Sequence, residues 1–371
     1  MPVQNYEILD TNADVTTTRT LLHEVIPLTG TIVSGTYGLF GSERNILNYT
    51  HGMFQSVYDY PYLSSSANHI FDLTVGYDEK SPLSSSAATQ NSKKINIYNQ
   101  YAQVLLGYTG STTDGVRKFE SDLLLDGSGT MNECFFINFS RLLTKDQIKK
   151  GTFSITLGTG SFDTPFHGGT GTYGAGTIKL FDVSASATAN TLNTVGGDYG
   201  VLVRSGSEGN HNENFGVIFY QAGIAVITAS VFAPNSAIKN GFGDGRESFF
   251  KEPSGVRRTV EDTLTGSTIS GACDAFRHRI VDLSFNNSTE INSKIYFCRV
   301  PHNKFNYSSN PTYTSGSKIV VKELATDRPV SYITTVGLYN GANELLATAK
   351  LSEPIKKTPS EELILRVRLD Y

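Results

Sequence analysis

Residues able to do chemistry are thinly spread along this chain of 371 residues. The seven histidines, His23, His51, His69, His167, His211, His278 and His302, include no pair at metal-ligand spacing, and neither an HExxH helix nor an acidic EF-hand loop occurs. Cys134, Cys273 and Cys298 stand too far apart for a zinc knuckle or a redox CxxC pair and read as free, mostly buried thiols. There is no G-x-S-x-G elbow to present a nucleophilic serine, and no lysine follows a glycine as a phosphate-binding P-loop requires. His167 near Asp163 comes closest to an acid/base pair, yet it lies in a glycine-rich loop where a solvated imidazole is the expected state. Glu361-Glu362 falls where a strand begins and reads as a wet edge; a glycosidase needs two carboxylates converging in a cleft. These readings predict a protein that is not an enzyme and carries no cofactor or metal.

One stretch matches a nucleotide-binding pattern by its letters. GTGSFDTPFHGGTGTYGAG, Gly158 to Gly176, holds a literal G-x-G-x-x-G at Gly169, Gly171 and Gly174. A dinucleotide site needs a helix directly after the glycines, because the pyrophosphate sits on that helix's N-terminus. The next residues, TIKLFDV, have a strand pattern, so the segment is expected to be a surface loop.

Strand signals dominate the remaining elements. Tyr332 to Tyr339 and Glu344 to Leu351 flank Asn340-Gly341, whose tolerance of positive φ marks a hairpin. Leu363, Leu365, Val367 and Leu369 then alternate with Ile364, Arg366, Arg368 and Asp370 in a final strand with one buried face, and both features are expected to be needed for folding. Strands are also expected over Cys134 to Phe139, Phe153 to Leu157, from Leu202, over Ile280 to Phe285, Ile295 to Val300 and Lys318 to Leu324, with short strands and turns over residues 10 to 41. Helical spacing appears at Ile95, Tyr98, Ala102 and Leu105 and at Ser267 to Arg279. Thr144 can cap a short helix over Leu143 to Lys150, and Ser64 to Ala67 can cap one leading into Ile70, Leu73 and Val75. Tyr58, Tyr60 and Tyr62 share one parity and are expected to cover a core beneath a loop. The prediction is a mainly β fold of antiparallel, sandwich-like lobes with a few short helices: residues 1–150, 151–265 and 266–371, with a discontinuous lobe also allowed.

Composition narrows the function classes. With 31 Lys+Arg against 35 Asp+Glu the net charge is -4, so no basic field exists to hold nucleic acid. The N-terminus lacks a basic stretch followed by an apolar core, which predicts no secretory signal and leaves the Asn287 sequon without consequence. Phe215 to Ala233 is uncharged and long enough to span a membrane, but Gln221-Ala222-Gly223 at its centre predicts a hairpin of two buried strands instead.

Four stretches, HGMFQSVYDYPYLSSSANHIFDLT (from His51), GVIFYQAGIAVIT (from Gly216), IYFCRVPHNKFNYSSNPTY (from Ile295) and SYITTVGLYNGANELLATAKLSEPIKKTPSEELILRVRLDY (from Ser331), resemble virion structural proteins of contractile-tailed bacteriophages, especially the large myophages of marine cyanobacteria. The resemblance implies a structural subunit of the tail baseplate, of its wedge in particular, with a neck or fibre-attachment protein or a carbohydrate- or receptor-binding virion protein as alternatives. It further implies assembly in the host cytoplasm into the virion, contacts with other tail or baseplate proteins, and a homo-oligomer. Contacts are expected in the loops Gly158 to Gly176, Asn235 to Lys251 and Pro301 to Tyr313, with Tyr307, Tyr313, Phe305, Gly169, Gly171 and Phe242 as interface residues.

Overall fold

The computed structural model describes residues 6–29, 44–108, 115–122, 126–158, 162–163, 177–182, 192–204, 214–232, 249–252, 254–308 and 328–371, with 314–315, 318–319, 324 and 326 between them. Among these residues twenty strands run in chain order, beginning with β1 (Val15–Thr29), β2 (Ile46–Asn48), β3 (Gln55–Tyr58), β4 (His69–Tyr77), β5 (Glu133–Phe139), β6 (Gln147–Ile148), β7 (Ser154–Gly158), β8 (Thr177–Asp182), β9 (Leu192–Thr194) and β10 (Gly197–Arg204). They continue as β11 (Asn214–Phe219), β12 (Ile224–Thr228), β13 (Phe250–Lys251), β14 (Arg257–Arg258), β15 (Ile280–Val300), β16 (Thr314–Ser315), β17 (Lys318–Ile319), β18 (Ser331–Tyr339), β19 (Leu345–Lys357) and β20 (Leu363–Asp370). The helices are α1 (Asn91–Leu105), α2 (Arg141–Thr144), α3 (Val260–Gly266) and α4 (Ile269–Arg277). With 46% strand against 15% helix the fold is mainly β, as expected.

The main sheet is ordered β1-β15-β7-β8-β10-β11-β12-β5-β4-β3-β2, with β6 and β20 on β15 and β9 on β10. Its centre follows from apolar runs too dense for a half-wet strand. β11 and β12 form the hairpin expected from Phe215 onward, pairing Gly216 with Ile227 and Phe219 with Ile224 around Gly223 at φ +67. Among the described residues no helix is long and apolar enough to cross a membrane. β5 then pairs with β12 and β4, and burial extends over both of its faces. On one face Phe136 stacks on Tyr101 of α1 at 4.4 Å; on the other Phe135 stacks on Phe276 of α4 at 4.6 Å. α1 closes on β4 where Gly76 has no side chain: a Cβ there would lie 2.6 Å from the Lys94 carbonyl oxygen and 2.8 Å from the Tyr98 nitrogen.

Several local expectations are corrected. Residues 15–29 form one long strand rather than short ones. Ile70, Leu73 and Val75 belong to β4, where all three are buried, so Ser64 to Ala67 caps no helix. Thr144 ends α2 rather than capping a helix, because Lys145 takes a positive φ of 55 and the chain turns into β6. The two strands expected on either side of Asn287 are one: β15 runs through, and buried Asn287 donates Nδ2 to the Leu143 carbonyl at 2.8 Å. The strand expected from Lys318 is β17, paired with β16.

Cα packing divides the chain into residues 1–21 with 290–371 and residues 22–289, so the boundaries expected near 150 and 265 do not coincide with the units. The division falls inside β15, which runs unbroken through Asn287-Ser288-Thr289. The larger unit owns the aromatic core, and buried polar groups tie its helices to it. Lys94 is fully buried, and its Nζ donates to the carbonyls of Leu264 (2.6 Å) and Ser267 (2.8 Å) at the end of α3. Arg279 lies over the rings of Phe249 and Phe232 and donates to the Gly158 carbonyl.

Burial lowers the Lys94 pKa to about 8 from 10.5. Between those values the unfolded chain holds a proton that the folded chain has released, so the cost of burying this ammonium is full below pH 8 and is relieved as pH rises. Urea unfolding at pH 7 and pH 9.5 should therefore show the stability difference between the native chain and Lys94→Met moving in favour of the native chain at the higher pH.

Candidate functional site

The smaller unit departs most from an ordinary domain. Among its described residues only Ile295, Val300 and Val367 are buried apolar side chains, while eleven large apolar side chains are exposed, among them Tyr332, Tyr339, Leu345, Leu346 and Ile364. The final strand alternates as expected, pairing Leu365 with Cys298 and Val367 with Tyr296, yet only Val367 reaches burial and its neighbours stay half-buried.

β18 and β19 form a two-stranded ribbon in which no other described strand takes part. The turn lies where Asn340-Gly341 predicted it but is built differently. Asn340 Oδ1 accepts from the amides of Ala342 and Glu344, both at 2.9 Å, and the left-handed residue is Asn343 at φ 63. Isolated two-stranded ribbons are marginal in water, because each residue buries too little to offset its ordering. Here only the two ends, Ser331 and Lys357, are buried.

That base is held by a polar clasp. Lys357 Nζ donates to Asn306 Oδ1 and to the Thr358 carbonyl, both at 2.8 Å, and Ser331 Oγ donates to the Phe305 carbonyl. Phe305, itself at φ 58, lies at the foot of the ribbon, and Tyr307 is 60% exposed. Above them the ribbon faces β15 and β20 across a cavity of about 800 Å³, lined by Ile8, Tyr296, Cys298, Leu338, Leu365 and Leu369 among others. Burial raises the Cys298 thiol pKa, so it is a wall residue and a poor nucleophile. Cys134 and Cys273 are likewise free and buried.

Tyr313, Gly169, Gly171, Phe242 and His167 lie outside the described residues. The strands flanking the glycine-rich segment settle its context: β7 and β8 pair antiparallel, so it joins a hairpin and no helix comes after it to receive a pyrophosphate. Asp163 pairs with Lys251 and Arg257.

One cluster of polar side chains went unseen in the sequence because strand pairing assembles it. Asp72 Oδ1 accepts from Ser56 Oγ and lies 2.8 Å from His69 Nε2. A hydrolytic triad places the imidazole between hydroxyl and carboxylate so that it can take the hydroxyl proton. Here the carboxylate is in the middle and Ser56 is only 2% exposed, so no base is aimed at a reactive oxygen. Among the described residues no group of three or more His, Cys, Asp or Glu is arranged to hold a metal ion. No known family, no curated protein and no solved structure matches the chain.

Contrary to the expectation that the hairpin is needed for folding, only its ends are buried, so replacing residues 332–356 by a two-residue glycine-serine link should leave the urea stability of the isolated chain within about 1 kcal/mol of the original. A loss above about 3 kcal/mol would mean that the ribbon belongs to a core.

Proposed function

We propose that this protein is a structural subunit of a phage virion, of the tail baseplate in particular, and that its smaller unit is completed by neighbouring subunits. The observation that carries this reading is the imbalance in that unit, three buried apolar side chains against eleven exposed among the described residues. A region of that size normally buries more than half the surface its unfolded chain exposes, so apolar groups left uncovered mark surfaces awaiting another chain. The ribbon supports the same reading. It offers backbone donors and acceptors along both strands, apolar and tyrosine side chains on its faces, and a polar base that orients it. Tyr307, Tyr332 and Tyr339 are of the residue type that dominates interface energetics.

The larger unit acts as the rigid body that carries this surface, its thiols buried and its Ser-Asp-His cluster ordered wrongly for hydrolysis. The sequence resemblance to myophage virion proteins supplies the setting; the geometry supports only the narrower idea of a subunit built to be covered. Mass spectrometry of purified virions and their tail subassemblies should find the protein in the baseplate fraction in several copies. Its absence from every virion fraction, with the protein present only as a free monomer, would overturn the reading.

A further inference from the structure

A second surface lies wholly within the larger unit, at the β3 and β4 edge of the main sheet, on the side away from Val57 and Phe71. Strand pairing sets Ser56 against Asp72 and Tyr58 against His69, while Val57 and Phe71 point into the core. Residues 49–54 fold three rings onto this face: Tyr49 and His51 stack at 5.0 Å with 8° between their planes, and Phe54 packs 4.9 Å from Tyr49. The Tyr58 side chain hydrogen-bonds to Tyr49, and its ring lies 6.3 Å from Tyr62 and 5.5 Å from His69. The rings thus form one continuous surface. They do not hide themselves, for Tyr62 is 36% exposed.

Two carboxylates are fixed among these rings. Asp59 accepts from the Asn68 amide at 2.6 Å and from Asn68 Nδ2 at 2.8 Å, and Asp72 is held by Ser56 and His69 while its side chain stays a quarter exposed. Groups immobilised in this way lose no further freedom when they bind. Aromatic faces offer an apolar plane, and fixed carboxylates offer paired acceptors. The matching ligand carries a flat C–H face and adjacent hydroxyl donors, which is the chemistry of a pyranose ring. A proline-rich peptide would match the rings but brings carbonyl acceptors to face the carboxylates, which leaves both sides without donors.

We propose that this face, with Tyr62, Asp59 and Asp72 as its contact residues, binds a neutral pyranose oligosaccharide. The face uses no residue of the ribbon unit, so its ligand is independent of the assembly reading.

The chain contains no tryptophan, so its intrinsic fluorescence reports tyrosine directly. The full chain should be titrated with cellohexaose, maltohexaose and chitohexaose, using calorimetry, saturation-transfer NMR and tyrosine fluorescence. At least one oligosaccharide should bind, with Tyr62→Ala weakening the affinity about tenfold or more and Tyr62→Phe retaining it. The far-UV circular dichroism of each variant should match that of the native chain, since Tyr62 is a surface residue. Failure of all three sugars to bind the natively folded chain would overturn the proposal. So would sugar binding that Tyr62→Ala leaves unchanged, or a proline-rich or arginine-rich peptide occupying this surface in place of sugar.

Discussion

Everything in the larger unit depends on β5 being covered on both faces. A strand reading Glu-Cys-Phe-Phe-Ile-Asn-Phe cannot leave either face wet, so helices must pack on both sides of the sheet. α1 supplies Tyr98 and Tyr101 against Phe136, and α4 supplies Phe276 against Phe135. Close approach of α1 needs Gly76, and beside that contact Lys94 donates to the α3 carbonyls from a fully buried position. Aromatic burial, a missing side chain and a buried ammonium are thus parts of one solution to covering a single strand.

Having spent its aromatic core there, the chain has little left for residues 290–371. The ribbon is secured by hydrogen bonds to Lys357 and Ser331 rather than by packing, and its inner face looks across a cavity at strands that are only half-buried. A polar base under an apolar ribbon fixes direction while leaving the side chains uncovered. That division is what the proposed virion subunit would need if its ribbon gains cover from neighbours.

Much of this was legible in the sequence where local chemistry decides structure. The uncharged run around Gln221-Ala222-Gly223 is a buried hairpin, the alternation after Leu363 is a strand, and Ile95 to Leu105 is helical. The failures came where distant partners decide. Ile70, Leu73 and Val75 have a spacing that fits a helix, yet pairing of β4 with both β3 and β5 made them a strand. Asn287-Ser288-Thr289 looks like a loop until β6 pairs with it. Alternation after Leu363 shows which side faces inward but not how much chain covers it, so strong burial was expected where only Val367 is buried. The ring surface around Tyr58 had a trace in its tyrosine parity, but Ser56, Asp72 and His69 meet only through strand register.

The most direct measurement is amide hydrogen exchange on the purified chain and on the same chain in the virion to which we propose it belongs. In the free chain, amides of β5, β11 and β12 should exchange only through global unfolding, whereas those of β18 and β19 should exchange by local opening with little protection. In the particle, β18 and β19 should become as protected as the core. Ribbon amides already fully protected in the free monomer, or unchanged on assembly, would contradict the claim that this unit is completed by its neighbours.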